Sequence, residues 1–215
     1  MSEVFLTGCD KNTEWQLPWF IDNYRRHCKL PLVIADFGMS EEMLVSVSSF
    51  AAACFPTARA GWFSKISALL IASRKFDKVC WLDTDCQVLR DPSGIFQYTE
   101  KNKLTMVVDH PWTTRRPQQG EWYNSGVVAV EGTPIVLPHW LQQAQDGNYR
   151  GDQEALHDYI GGCPIKRIST VAVAPHQYNV LRLDVVDGNV PDWGNVIMHW
   201  TGEKGNLEIQ KQMGL

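Results

Sequence analysis

Lys78-Val79-Cys80-Trp81-Leu82-Asp83-Thr84-Asp85 passes abruptly from an apolar run to two carboxylates spaced by one residue. That pattern predicts a buried strand delivering both Asp side chains to a polar edge, where hard oxygen ligands suit a divalent cation. A cation held there can grip a diphosphate and stabilise it as a leaving group. The motif alone is not specific. An Asp-x-Asp also reads as an acidic turn after a strand, and the neighbouring sequence must decide between the two.

Outward from this run, strand and helix signals alternate. Val4–Thr7 reads as a first strand closing at Gly8-Cys9-Asp10, and a helix through Trp19, Phe20 and Tyr24 follows. Pro31–Ala35 is a second strand ending at Asp36. Ser40 with Glu41 and Glu42 has the chemistry of a helix start. Trp62, Phe63, Ile66, Leu69 and Leu70 recur at helical spacing, with Lys65 at the edge of the stripe. Leu104–Val108 and Val127–Val130 read as strands, Pro138–Gln145 and Asp152–Ile160 as helices, and Val196–Met198 as a late strand leading into His199. The succession predicts an α/β fold: one Rossmann-like domain with a mixed, mostly parallel sheet flanked by helices. Ligands of such sheets bind at the carboxyl ends of strands, where Asp10, Asp36, Asp83 and Asp85 fall. The segment His110–Gly120, with Arg115 and Arg116, reads equally as a lid, an acceptor loop or a surface connection.

Composition narrows the function. The chain has 215 residues, 44% hydrophobic and 20% charged, which suits one ordinary globular domain. A formal charge of −4 offers no basic patch for nucleic acid. The six cysteines form no Cys-x-x-Cys pair and read as buried free thiols. No apolar run approaches a membrane span and the N-terminus lacks leader chemistry, so the expectation is a cytoplasmic protein without a transmembrane segment.

An ordered set of short patches resembles the GT-A glycosyltransferases, in particular the glycogenin-like and bacterial galactosyltransferase-like group. The set is Lys65 on a helix, Lys78–Asp85, Asp91-Pro92 with Ile95-Phe96, Asn124-Ser125-Gly126, Gly151-Asp152-Gln153, Tyr178-Asn179 and His199-Trp200-Thr201-Gly202. The ending departs from the family pattern: Glu203-Lys204-Gly205 stands where Lys-Pro-Trp is usual.

The resemblance implies a single nucleotide-diphospho-sugar transferase domain over 1–215, with 1–100 the nucleotide-binding half and 101–215 the donor-sugar and acceptor half. It implies a metal-dependent hexosyltransferase using Mn²⁺ or Mg²⁺, ligated by Asp83, Asp85 and His199; an imidazole ligand suits Mn²⁺ better. The donor is expected to be a nucleotide sugar, a UDP-sugar by resemblance, bound by Asp10, Asn12, Lys65, Asp83, Thr84, Asp85, Asn124, Ser125, Gly126, Gly202 and Lys204. Asp152 is expected on sugar hydroxyls and Gln153 beside the anomeric carbon, as the catalytic pair, with retention of configuration. The acceptor is a glycan, lipid-linked or other hydroxyl. Two rivals remain open: a phosphatase or phosphotransferase with an Asp nucleophile, and a nucleotide-sugar-binding protein without catalysis.

Overall fold

Alternation along β1 (Glu3–Cys9) sends Phe5 and Cys9 to one face of the sheet and Val4 and Leu6 to the other. The computed structural model describes residues 2–57, 63–186 and 194–215. After β1 come α1 (Leu17–His27), β2 (Leu32–Asp36), α2 (Glu41–Ser48), β3 (Ala53–Pro56), α3 (Ser64–Ser73) and β4 (Lys78–Leu82). β5 (Cys86–Val88), β6 (Leu104–Val108), α4 (His110–Arg115), β7 (Tyr123–Glu131), α5 (Val136–Asp146) and α6 (Asp152–Ile160) follow. The chain closes with α7 (Pro164–Thr170), β8 (Val171–Val173), β9 (Val180–Leu181), α8 (Arg182–Val186), β10 (Ile197–His199) and α9 (Gly202–Met213).

Seven strands form the main sheet in the order β3-β2-β1-β4-β7-β6-β8. Its first four strands are parallel, and β7 runs against both β4 and β6. The sheet is therefore mixed and mostly parallel, as expected. Reversal of β7 brings its amino end to the edge where β1, β4 and β6 finish. A second sheet, β5-β10-β9, joins the middle of the chain to its end.

Both faces of the main sheet are covered. Leu17, Phe20, Ile21 and Tyr24 of α1 and Ile209 of α9 pack on the side of Phe5, Cys80 and Leu82. Ile66 and Leu69 of α3, Trp140 of α5 and Leu156 of α6 pack on the side of Val79 and Trp81. Two-sided burial explains why β4 and β7 read as continuous apolar runs.

Several expectations are refined by this architecture. Ser40 is the cap of α2, its hydroxyl accepting the Met43 amide at 3.2 Å. Trp62 lies outside the described residues, and α3 begins at Ser64. Asn124-Ser125-Gly126, whose composition suits a turn, lies inside β7, because hydrogen bonding to both β4 and β6 overrides local turn chemistry. His110–Gly120 contains α4 and a 3-10 turn at Pro117–Gln119. Four cysteines are buried as expected, but Cys54 and Cys163 are exposed, and all are free thiols. Among the described residues no helix is long and apolar enough to cross a membrane.

Phe5 is fully buried and meets Tyr24 and Phe96 edge-on or tilted at 5.7 and 5.2 Å between ring centroids. Phe5→Ala is expected to cost about 3–5 kcal/mol, read as a lower urea midpoint at unchanged slope. A loss below about 1 kcal/mol would mean that this cluster is not the core of the sheet's α1 face.

Candidate active site

Three carboxylates, one imidazole and one ammonium converge at the carboxyl end of β4. The Leu82 carbonyl is held by the Thr7 hydroxyl at 2.8 Å, and the Asp83 amide donates to the Gly126 carbonyl at 2.9 Å. The Cys86 amide then returns to the Asp83 carbonyl at 3.0 Å, closing a tight turn. Thr84 faces the packing of this turn: its hydroxyl donates to Gln16 at 2.6 Å, and Gln16 in turn donates to Asn206 of α9 at 2.8 Å. The Thr84 side chain locks the turn in place.

His199 arrives through the second sheet. Antiparallel pairing of β10 with β5 sets His199 opposite Cys86, and the Trp200 amide donates to the Asp85 carbonyl at 3.0 Å. Nε2 of His199 lies 3.1 Å from Asp85 and 3.9 Å from Asp83. Nδ1 lies 3.0 Å from the Asn179 side-chain oxygen, which accepts if Nδ1 carries the hydrogen. That tautomer leaves Nε2 as the lone-pair side, the usual arrangement of a ligating histidine. Gly126 makes the approach possible: a Cβ there would fall 2.0 Å from Cε1 of His199. Burial opposes charge on this imidazole, but Asp85 and Asp83 outweigh it and raise its pKa.

Asp85, Cys86 and His199 form a group whose ligand atoms lie within 4.8 Å of one another. Cys86 fits a cation poorly. Burial, reinforced by Asp85 and Asp83, pushes its thiol pKa well up and disfavours the thiolate a metal needs. The Asp83 carboxylate, an oxygen donor, suits a hard cation better than this thiol, although it stands 3.9 Å from Nε2.

Lys65 is 8% exposed. Although it lies at the edge of the apolar stripe of α3, it is buried among acceptors. Its ammonium lies 3.0 Å from Asp83, 2.9 Å from Asp152 and 3.0 Å from the Ser125 carbonyl. Trp81 adds an indole N–H to Asp83 at 2.6 Å. Burial alone would lower the lysine pKa, but Asp152 and Asp83 outweigh it and the net shift is upward. Asp152 is no helix cap: Gly151 occupies the cap position of α6, and the Asp152 carboxylate accepts from Ser125 at 3.2 Å.

A second network continues from the first. Asn179 donates to Asn124 at 2.8 Å, and the Asn124 amide donates to Gln153 and Asp109, each at 3.2 Å. Gln153 donates to the same Asp109 oxygen at 2.9 Å. Asp109, 1% exposed, is the residue that motif reading misses. It follows β6 directly, so the strand-end rule that selects Asp83 would also have selected it.

The remaining expected residues surround this centre less tightly. The Asp10 carboxylate accepts the amides of Asn12 and Thr13, both at 3.0 Å, and so organises the loop after β1. Asn12 returns its side-chain amide to Asp10 at 3.2 Å. Gly202 opens α9 at φ 75°, where a side chain would be strained, and Lys204 is exposed in its first turn.

No family model matches the chain, and no curated protein matches it in sequence. Solved structures do match in fold. The galactosyltransferase LgtC, in complex with donor and acceptor sugar analogues, superposes with TM-score 0.66 at 12% identity, over 98% of this chain and 94% of that one. The glycosyltransferase GlyE of Streptococcus pneumoniae gives TM-score 0.66 at 15% identity, over 94% of this chain and 55% of GlyE. A glycosyltransferase involved in glycosylating the major capsid of PBCV-1 gives 0.63 at 13% identity, covering 100% of both chains. The chain therefore has the GT-A-like fold of these glycosyltransferases.

Lys65→Met should destabilise the protein by about 2–4 kcal/mol at neutral pH, because it leaves the partly buried Asp83 and Asp152 without their cation. The raised lysine pKa means that its stabilising charge is present at and below the ordinary lysine range and is lost only at more alkaline pH. Denaturant titrations of both proteins at pH 7 check this; equal midpoints would contradict the buried-pair assignment.

Proposed function

We propose that this chain is a metal-dependent glycosyltransferase that moves a hexose from a nucleotide sugar, a UDP-sugar in our reading, to a hydroxyl acceptor with retention of configuration. The observation that carries the proposal is the meeting of His199 with Asp85 at 3.1 Å beside the Lys65–Asp83–Asp152 cluster. The shared fold with known glycosyltransferases supports the reaction class.

Asp83, Asp85 and His199 would hold the divalent cation, Mn²⁺ or Mg²⁺. Two observations support the fit. Asp83 and Asp152 share the Lys65 ammonium, while Asp85 is paired only with the His199 imidazole among the described residues, so three carboxylates meet one permanent cation and a divalent ion would balance the remainder. His199 also has its Nδ1 committed to Asn179 and its Nε2 turned to the carboxylates. When bound, the cation supplies charge neutralisation for the departing diphosphate.

The chain's own residues supply position. Lys65 fixes Asp83 and Asp152 relative to one another, so the donor-facing carboxylates are preorganised rather than recruited on binding. Asn124 and Asp152 would hydrogen-bond donor sugar hydroxyls, with Ser125 and Gly126 as a close wall. Gln153, braced by Asp109 and Asn124, would stand beside the anomeric carbon on the acceptor side. Gly202 and Lys204 would flank the diphosphate, and Asp10 with Asn12 would meet the base. In this division residues 1–100 would form the nucleotide-binding half and 101–215 the donor-sugar and acceptor half, with His199, Gly202 and Lys204 reaching back to the diphosphate. The bond from the anomeric carbon to the diphosphate oxygen breaks with its electron pair leaving on the diphosphate. The acceptor oxygen bonds to the same carbon face, and its proton passes to the diphosphate.

The Asp-nucleophile reading is less well supported. The Asp83 carboxylate, the nucleophile it would need, is held by Lys65 at 3.0 and 3.3 Å and by Trp81 at 2.6 Å.

Incubation with Mn²⁺ and a panel of UDP- and GDP-sugars, with and without acceptors, should release nucleoside diphosphate in a cation-dependent way. Asp85→Ala should lower that rate by about 100-fold or more with unchanged circular dichroism. Because His199 has a raised pKa in the cation-free protein, proton and cation compete for it, and Mn²⁺ affinity should weaken as pH falls. Full activity in the Asp85 variant would reject the ligand assignment. Nucleotide-sugar binding without turnover would support the non-catalytic rival.

A further inference from the structure

A cleft of about 330 Å³ lies between α4 and α6, lined by Trp112, Arg116, Trp122, Arg150, Gln153 and Glu154. It is large enough for a sugar-sized ligand, near the lower end of the ~300–1,000 Å³ usual for such sites. Gln153 belongs both to this cleft and to the Asn124–Asp109 network. Asp109 also caps α4, accepting the Trp112 amide at 2.9 Å. The cleft is thus tied to the candidate active site through two side chains.

Its polar groups are unbalanced. Among the described residues, neither the Arg116 nor the Arg150 guanidinium has a carboxylate partner; Arg116 instead packs over the ring of Trp112 at 4.3 Å. The nearby carboxylates each accept a neutral donor. Glu154 accepts the Arg150 backbone amide at 3.0 Å, and Asp158 accepts from Gln143 at 2.8 Å. Trp122 is 5% exposed, and its indole N–H has no acceptor among the described residues. Among the described residues, two guanidinium groups without an ion-pair partner therefore line the cleft against one carboxylate, Glu154, and the buried indole N–H beside them is left without a partner at a cost of about 1–3 kcal/mol. Trp112, 39% exposed, adds an aromatic surface of the kind a sugar ring can cover.

We propose that this cleft is the acceptor subsite and that it takes a saccharide bearing an anionic oxygen group, with Arg116 and Arg150 as its specificity residues. The inference rests on the glycosyltransferase reading and names the acceptor class for it. An anionic group offers acceptors alone, which matches the two guanidinium groups that lack an ion-pair partner among the described residues.

Saturation-transfer NMR tests the proposal with methyl β-glucuronide, methyl β-galacturonide, galactose 6-sulfate and glucose 6-phosphate, against neutral methyl β-glucoside and methyl β-galactoside. In the presence of Mn²⁺ and UDP, at least one acidic saccharide should bind, and the carboxylate, sulfate and phosphate arms identify its group. Arg116→Gln and Arg150→Gln should each weaken that binding about tenfold or more, while Trp112→Ala weakens acidic and neutral sugars alike. Equal binding of neutral and acidic sugars, insensitivity to both arginine substitutions, or no binding by any acidic probe would overturn it. UDP-sugar hydrolysis without acceptor, measured in the unaltered protein, reports separately on the glycosyltransferase reading.

Discussion

Pairing of β10 with β5 is the constraint on which the candidate site depends. Three residue pairs, Ile197 with Val88, Met198 with Gln87 and His199 with Cys86, bring the end of the chain against its middle. One further backbone bond, from Trp200 to Asp85, fixes the imidazole beside the second carboxylate of the acidic pair. Gly126 completes the arrangement by leaving the space that the imidazole fills. Three distant segments therefore meet through backbone geometry and the absence of one side chain.

Lys65 plays the corresponding electrostatic part on the other side of Asp83. An isolated ammonium at this depth would lose too much hydration to remain charged. Two carboxylates and a backbone carbonyl compensate, and they come from β4, α6 and β7. The same contacts that make the lysine tolerable fix those three elements at one edge. Such a buried cluster adds less to stability than its close distances suggest, because desolvation offsets most of the attraction. Its main effect is to hold these carboxylates in place before any ligand arrives.

Much of this was legible in the residues. Apolar runs closed by Asp10, Asp36 and Asp83 announce parallel strands whose ends share an edge, and α6 begins at Asp152 as its pattern indicates. The features that were not legible are those set by distant partners. Lys65 sits at the margin of a helical stripe, and only carboxylates elsewhere in the chain make its position buried. Asn124-Ser125-Gly126 has turn composition, yet two neighbouring strands hold it extended. The three-residue β5 has too little sequence to register as a strand, although it positions His199. Helix α9 was hidden by Gly205, whose missing side chain is required: a Cβ there would come within 1.8 Å of the Trp200 carbonyl oxygen.

The central claim is that His199 and the paired acids serve one cation. Pulsed electron paramagnetic resonance of Mn²⁺ bound to the protein with UDP measures this directly. The account predicts nitrogen coupling from one directly ligated imidazole, absent in His199→Ala. Mn²⁺ without imidazole coupling in the unaltered protein, or coupling that survives in the variant, would contradict it.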